Sequence, residues 1–140
     1  MKTFLRSMAA IACVAVLPLA AHADGCTNLA RKTLCATFHY SSGGSNSYSA
    51  VFHADGSFTF LEAPSTSGTW SCAGSRGLVD VEYMFSGFEQ QSWYARAGRN
   101  GLSLKGYGKS ITNGYMYDFT SVAGACPAVA RPPSVRQDLL

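Results

Sequence analysis

The sequence predicts an all-β fold: an antiparallel, up-and-down meander of about eight strands that closes into a small barrel with disulfide bonds. Short β-like runs recur along the chain with glycine-rich turns between them, and the runs share one apolar face. Four cysteines lie beyond an N-terminal leader. Hydrophobic residues make up 47% of the chain and charged residues 14%, a balance that excludes a disordered, highly charged polypeptide.

Residues 1–23 have the layout of a secretory signal peptide. Lys2 and Arg6 form a short positive region, Met8–Leu19 is apolar, and Ala21–Ala23 is an A-x-A cleavage site. We therefore predict a secreted or periplasmic protein that is cleaved after Ala23.

Beyond the leader, the chain has the size of one domain. We predict a single β-barrel domain over residues 24–125 and an extended, proline-rich tail over residues 126–140. No second long apolar segment follows, so no membrane span is expected. Nine of the eleven Lys and Arg residues remain after cleavage, against eight Asp and Glu residues. This near-neutral balance gives no general electrostatic support for nucleic-acid binding.

Eight runs have the composition of β-strands, and no helical periodicity separates them. Their connections are short, apart from the flexible loop over residues 41–47. The runs are Leu34–Tyr40, Tyr48–Ala54, Ser57–Glu62, Gly68–Ala73, Leu78–Phe85, Gln91–Ala97, Leu102–Thr112 and Tyr115–Val122.

Turn residues predict how neighbouring strands pair. The Ala54–Gly56 turn and the Asn100–Gly101 turn predict the cross-strand pairs Phe52–Phe58, Ala97–Leu104, Arg96–Lys105 and Tyr94–Tyr107. A two-residue turn at Asn113–Gly114 predicts the pairs Thr112–Tyr115, Ser110–Tyr117 and Lys109–Asp118. Gly106 and Gly108 lie within one run and are typical of a bend or bulge.

The predicted registers give the sheet one apolar and one polar face. The apolar face carries Phe52, Phe58, Phe60, Val79, Val81, Tyr83, Phe85, Trp93, Ala95, Leu102, Leu104, Tyr117 and Phe119. Sequential strands with one apolar face must curl to cover it, and eight strands can close around side chains or one small ligand. An outer-membrane barrel with its aromatic residues outward fits the same alternation, although several runs are shorter than the roughly 9–11 residues of a membrane strand.

The four remaining cysteines predict two disulfides in an oxidising compartment. The preferred pairing is Cys26–Cys35 with Cys72–Cys126. The alternative is Cys26–Cys126 with Cys35–Cys72. The sequence contains no C-x-x-C motif, which would indicate a zinc or redox site.

Three segments resemble the meanders of calycin-type proteins such as lipocalins and avidins: Phe52–Phe58, Gly68–Trp70 and Asn100–Leu104. The resemblance extends over about Leu34–Val122 and implies a barrel whose mouth or interior binds a ligand. The chain also resembles the small barrel-shaped bacterial inhibitors of lysozyme, from which no residue role is carried over.

Two binding sites are predicted on opposite faces of the sheet. The inner site would hold a small apolar molecule against aromatic residues with polar tips: Trp70, Tyr83, Trp93, Tyr115 and Tyr117. The outer site would bind an extracytoplasmic protein, as an inhibitor does, through Tyr94, Arg96, Lys105, Tyr107 and Lys109. Asp118 beside Lys109, and Asp80 beside Arg96, would compensate part of that basic face.

The residues predict binding and not catalysis. No Gly-x-Ser-x-Gly motif or phosphate-binding loop is present, and we expect no cofactor. Asp80 and Glu82 are interpreted as a solvated, cross-strand-paired carboxylate pair. His39 and His53 are interpreted as exposed strand residues, the alternative being a metal pair completed by Asp55.

Overall fold

The structure is a computed structural model that describes residues 25–74 and 77–128. The predicted signal peptide and the tail beyond residue 128 lie outside the described residues. The elements are α1 (Gly25–Leu29), β1 (Lys32–Tyr40), β2 (Ser45–Phe52), β3 (Ser57–Phe60), β4 (Ser67–Ala73), β5 (Leu78–Phe85), β6 (Glu89–Ala97), β7 (Leu104–Ser110) and β8 (Met116–Ala123).

The eight strands form a closed antiparallel barrel in which each strand pairs with the next in sequence. Pairing of β1 with β8 completes the closure, so the predicted fold class is confirmed. The registers predicted from the first two turns are also confirmed: Phe52–Phe58, Ala97–Leu104, Arg96–Lys105 and Tyr94–Tyr107 are cross-strand partners. The short helix α1 was not predicted, because five residues are too few to show a helical period.

The predicted register of β7 with β8 is wrong. Lys109 lies opposite Met116, and Asp118 lies opposite Tyr107. A four-residue loop over residues 111–114 replaces the expected two-residue turn. Its wider shape is held by side chains, since the Ser110 hydroxyl accepts the Asn113 backbone N–H at 3.0 Å.

Gly106 and Gly108 do not mark a bulge, because β7 pairs regularly with both neighbouring strands. They are required for close packing instead. A Cβ atom added at Gly108 would lie 2.5 Å from a ring carbon of Tyr117, and one at Gly106 would lie 2.7 Å from the Cα of Ala95. These positions let β6 and the interior rings approach the β7 backbone.

The predicted apolar face lines the inside of the barrel. Trp93 at its centre has no exposed surface and packs on Phe119 and Phe58, with ring centroids 4.6 and 5.0 Å away. The alternative orientation with aromatic residues outward is therefore wrong. Leu102, which was assigned to the apolar face, lies exposed in the β6–β7 loop.

The disulfides join Cys26 to Cys72 and Cys35 to Cys126, so both pairings considered from the sequence are wrong. The tertiary structure explains the difference. Cys26 belongs to α1, which packs at the end of the barrel where Cys72 lies, with a Cα–Cα distance of 5.4 Å. The chain after β8 runs back along β1, where Gly124 bridges to Leu34 and brings Cys126 to Cys35.

Two disulfides are typical of proteins in an oxidising, extracytoplasmic compartment. No helix among the described residues has the length and apolar character that a membrane span requires.

Candidate functional site

The two ends of the barrel differ. At one end, α1 covers the interior: Leu29 is fully buried, and the Asn28 side-chain amide donates to the Arg99 carbonyl at 3.2 Å. At the other end, where β1 leads into β2 and β5 into β6, a cavity of about 340 Å³ opens between the strands. This volume falls within the range of small-molecule sites. We call this end the mouth.

Aromatic rings form most of the cavity wall, and a few polar side chains lie among them. The aromatic residues are Phe38, Tyr40, Tyr48, Phe60, Tyr83, Phe85 and Tyr115. The polar residues are Ser42, Asn46, Glu89 and Gln91.

The rings of the wall hold one another in place. Tyr48 lies between Phe60 and Phe85, with ring centroids 5.3 and 5.2 Å away, and the contact with Phe85 is edge-to-face. Tyr40 meets Tyr115 edge-to-face at 5.7 Å on the opposite side. These contacts are in the favourable range for aromatic pairs, so the wall is largely preorganised for a ligand.

Gln91 organises the polar groups beneath the cavity. Its Oε1 atom accepts hydrogen bonds from the hydroxyls of Tyr83 and Tyr117 at 2.6 and 2.8 Å. Its amide nitrogen donates to the Tyr115 hydroxyl at 3.1 Å. The Tyr83 hydroxyl in turn accepts the Trp93 indole N–H at 2.9 Å. The polar tips of these interior side chains are therefore paired, as buried polar groups must be.

Glu89 brings a carboxylate into the cavity wall although it is only 7% exposed. Burial raises its pKa, but hydrogen bonds from Ser110, Tyr115 and Asn113 outweigh burial and hold the pKa below its usual value. The Asn113 amide donates at 3.0 Å. Glu89 is therefore ionised at neutral pH. Burial, and then this carboxylate, raise the pKa of Tyr115, which stays protonated.

The predicted inner-site residues separate into three groups. Tyr83 and Tyr115 line the cavity. Trp93 and Tyr117 are buried beneath it and join its hydrogen-bond network. Trp70 lies at the opposite end, where its indole N–H donates to the His53 carbonyl at 2.8 Å, so it does not line the cavity.

Sequence reasoning missed Glu89 and Gln91. A signal was available, since the alternation that places Trp93 and Ala95 inward also places Gln91 and Glu89 inward. Tyr40 and Tyr48 belong to the cavity wall because β1 pairs with both β2 and β8. The sequence pattern does not show this closure.

The predicted outer-site residues are brought together and exposed on β6 and β7. They are Tyr94, Arg96, Lys105, Tyr107 and Lys109, and we call them the outer patch. The rings of Tyr94 and Tyr107 lie 5.8 Å apart.

The acids expected beside the cations of the outer patch lie opposite its tyrosines instead. Asp80 is the partner of Tyr94, and Asp118 is the partner of Tyr107. Leu78 and Lys105 lie on either side of Arg96, so no directly opposed carboxylate compensates it.

The two histidines lie at opposite ends of the barrel. His39 is exposed near the mouth end of β1, and its cross-strand partner on β8 is Asp118. His53 follows β2 at the closed end, and its Nε2 atom lies 2.9 Å from the Thr59 hydroxyl. They do not form the metal pair considered above.

Fold and site together define a disulfide-bonded, eight-stranded up-and-down barrel with an aromatic cavity at its mouth. No family model, curated protein or solved structure matches the chain. The resemblance to calycins therefore stays a prediction, and the function has to be argued from the geometry of the barrel.

Proposed function

We propose that this chain is an exported, non-catalytic binding protein that takes up a small apolar molecule at the barrel mouth after cleavage of its leader behind Ala23. The observation that carries the proposal is the cavity of about 340 Å³ with seven aromatic side chains in its wall. A wall of rings around a few polar groups is typical of small-molecule sites. The calycin resemblance is consistent with this proposal.

Apolar side chains around the mouth support the same function. The loops at this end expose Leu61, Phe88 and Ile111, and Phe88 is 71% exposed. Exposed apolar groups beside a cavity provide favourable contacts for an apolar molecule as it enters. Phe88 lies in the β5–β6 loop, between the cavity-lining residues Phe85 and Glu89 in sequence.

Titration with the neutral fluorescent probe N-phenyl-1-naphthylamine tests the proposal. Asn46 faces inward at the mouth, so Asn46→Trp fills the cavity without replacing a core residue. Ser47 is the next residue on β2 and is exposed on the outer face, which makes Ser47→Trp the matched control. We expect the wild type and Ser47→Trp to bind equally and Asn46→Trp to bind at least about tenfold more weakly. Absence of binding by the wild type, or equal binding by Asn46→Trp, would contradict the proposal.

A protein-binding function at the outer patch is the second candidate. The exposed Tyr94–Tyr107 pair beside Arg96 and Lys105 favours it, because tyrosine and arginine are enriched at protein interfaces. Its inhibitor form is assayed directly as inhibition of lysozyme. The double change Arg96→Glu with Lys105→Glu should abolish inhibition or partner capture, whereas Asn46→Trp should leave both intact. The opposite pattern would assign binding to the cavity.

A further inference from the structure

We propose that the ligand of the mouth cavity is an organic cation, an amine or quaternary ammonium group on an apolar body, which is held by the Glu89 carboxylate and the surrounding aromatic rings. This inference rests on the proposed binding function and specifies its ligand class.

The wall of the cavity carries one negative charge and no positive charge among the described residues. Glu89 is the one carboxylate among the described lining residues, and none of those residues is Lys, Arg or His. Its hydrogen-bond donors are the neutral side chains of Ser110, Tyr115, Asn113 and Gln91. Glu89 as a residue is only 7% exposed, so its ionised carboxylate, among the neutral side chains of the described wall, gives the cavity a negative potential. Such a cavity favours a cation and disfavours an anion.

Aromatic rings line the cavity together with Glu89 and add a second attraction for a cation. Tyr40, Tyr48, Phe85 and Tyr115 line the same cavity. Ring faces attract cations through the aromatic quadrupole, and the attraction is strongest where water is excluded. A bulky organic cation gains from both the rings and the carboxylate, while its apolar body gains from contact with Phe38 and Phe60.

The same set of residues argues against a metal ion. Hard metal ions require several oxygen ligands, and Zn²⁺ requires three or four nitrogen, sulfur or oxygen ligands. Within residues 25–74 and 77–128, no group of three or more His, Cys, Asp and Glu residues could hold a metal ion. One carboxylate among aromatic rings instead fits a weakly hydrated organic cation.

A pair of isosteric probes isolates the charge. Phenyltrimethylammonium and tert-butylbenzene have the same shape and differ in the positive charge. Each would be titrated as a competitor of N-phenyl-1-naphthylamine on the wild type, on Glu89→Gln and on Glu82→Gln. Glu82 is exposed on the outer face of β5, so Glu82→Gln is the matched control for removal of one carboxylate. We expect the cation to bind the wild type and Glu82→Gln about tenfold more tightly than the hydrocarbon. In Glu89→Gln the preference for the cation should shrink several-fold through loss of affinity for the cation, and the rings alone should sustain what remains.

Asn46→Lys provides a second variant in case Glu89→Gln fails to fold. Asn46 is exposed at the cavity edge, so its replacement leaves the core unchanged and places an ammonium group near the site. It should remove the preference for phenyltrimethylammonium and retain binding of tert-butylbenzene.

The outcomes separate this inference from the proposed function. Equal affinities in the wild type would overturn the cation inference and leave the apolar cavity intact. A preference that stays undiminished in both Glu89→Gln and Asn46→Lys would also overturn it. If N-phenyl-1-naphthylamine itself does not bind, the proposed function fails and the inference fails with it.

Discussion

The indole N–H of Trp93 donates to the Tyr83 hydroxyl at 2.9 Å inside the barrel, and neither side chain is more than 5% exposed. This contact joins the apolar centre of the barrel to the polar groups under the cavity. The Tyr83 hydroxyl in turn donates a hydrogen bond to Gln91, and the Gln91 amide donates one to Tyr115 in the cavity wall. Trp93 therefore has a structural role beneath the site.

Tyr83→Phe should destabilise the fold because it removes the acceptor that lies 2.9 Å from the buried Trp93 N–H and one of the two hydroxyls that donate to Gln91. Loss of a buried hydrogen-bond partner costs about 1–3 kcal/mol in the free energy of unfolding. Urea denaturation measures the change. Tyr94→Phe is the control, since Tyr94 is exposed on the outer face, and it should stay within about 0.5 kcal/mol of the wild type. Equal stability of the two variants would show that the Trp93–Tyr83 hydrogen bond contributes nothing.

The disulfide connectivity predicts specific cross-linked peptides. Digestion of the unreduced protein with trypsin and chymotrypsin together should yield Cys26 joined to Cys72 and Cys35 joined to Cys126. Both enzymes are needed because no Lys or Arg separates Cys35 from Cys72. Mass spectrometry before and after reduction identifies the pairs. A peptide that joins Cys26 to Cys35 would contradict the structure.

Gly108→Ala should destabilise the barrel by about 1–3 kcal/mol, the usual effect of overpacking. The added methyl group would lie 2.5 Å from the Tyr117 ring and 2.7 Å from the Ser92 carbonyl oxygen, so the ring or the strand would have to move. Lys109→Ala, at the exposed next position of β7, should change stability by less than about 0.5 kcal/mol. Urea unfolding of both variants and of the wild type measures the difference. An unchanged unfolding midpoint for Gly108→Ala would contradict the close packing of Gly108 against Tyr117.

The free energy of unfolding should fall in acid as the Glu62 carboxylate becomes protonated. Its carboxylate accepts the backbone N–H of Ser49 at 2.7 Å and also the Ser49 hydroxyl. Burial raises the pKa of Glu62, but these hydrogen bonds outweigh burial and hold it below its usual value of 4.5. Because the folded protein then binds the proton less tightly than the unfolded chain, the contribution is present above pH 4.5 and is lost as the pH falls below that value. Glu62→Gln should show a shallower loss of unfolding free energy between about pH 5 and pH 3. A curve parallel to that of the wild type would contradict this assignment.

The predictability of each register depended on its turn. The β6–β7 connection is a four-residue loop and not the predicted two-residue turn, because the Gly101 N–H donates to the Gly98 carbonyl and the Gly98 N–H to the Ser103 carbonyl, both at 2.9 Å. That loop is centred on Asn100–Gly101, so the predicted pairing of β6 with β7 is unchanged. The Asn113–Gly114 pair lies at the end of its four-residue loop instead, which shifts the register of β7 with β8. There the hydroxyls of Ser110 and Thr112 accept backbone N–H groups, and the Thr112 contact comes from β6. A turn motif cannot report such a contact, because the donor lies on a strand distant in sequence.

The fold class, the strand order and the inward-facing aromatic residues follow from local alternation and turn chemistry, which each segment carries within itself. The Cys35–Cys126 disulfide and the cavity depend on closure of β1 with β8, and the Cys26–Cys72 disulfide depends on the packing of α1 at the closed end of the barrel. Glu89 illustrates the difference. Its inward orientation follows from strand alternation, but its burial, its neutral donors and its place among aromatic rings arise when β6, the β7–β8 loop and β1 meet at the mouth. Tertiary packing decided those properties, because burial and electrostatic environment depend on all neighbouring segments at once.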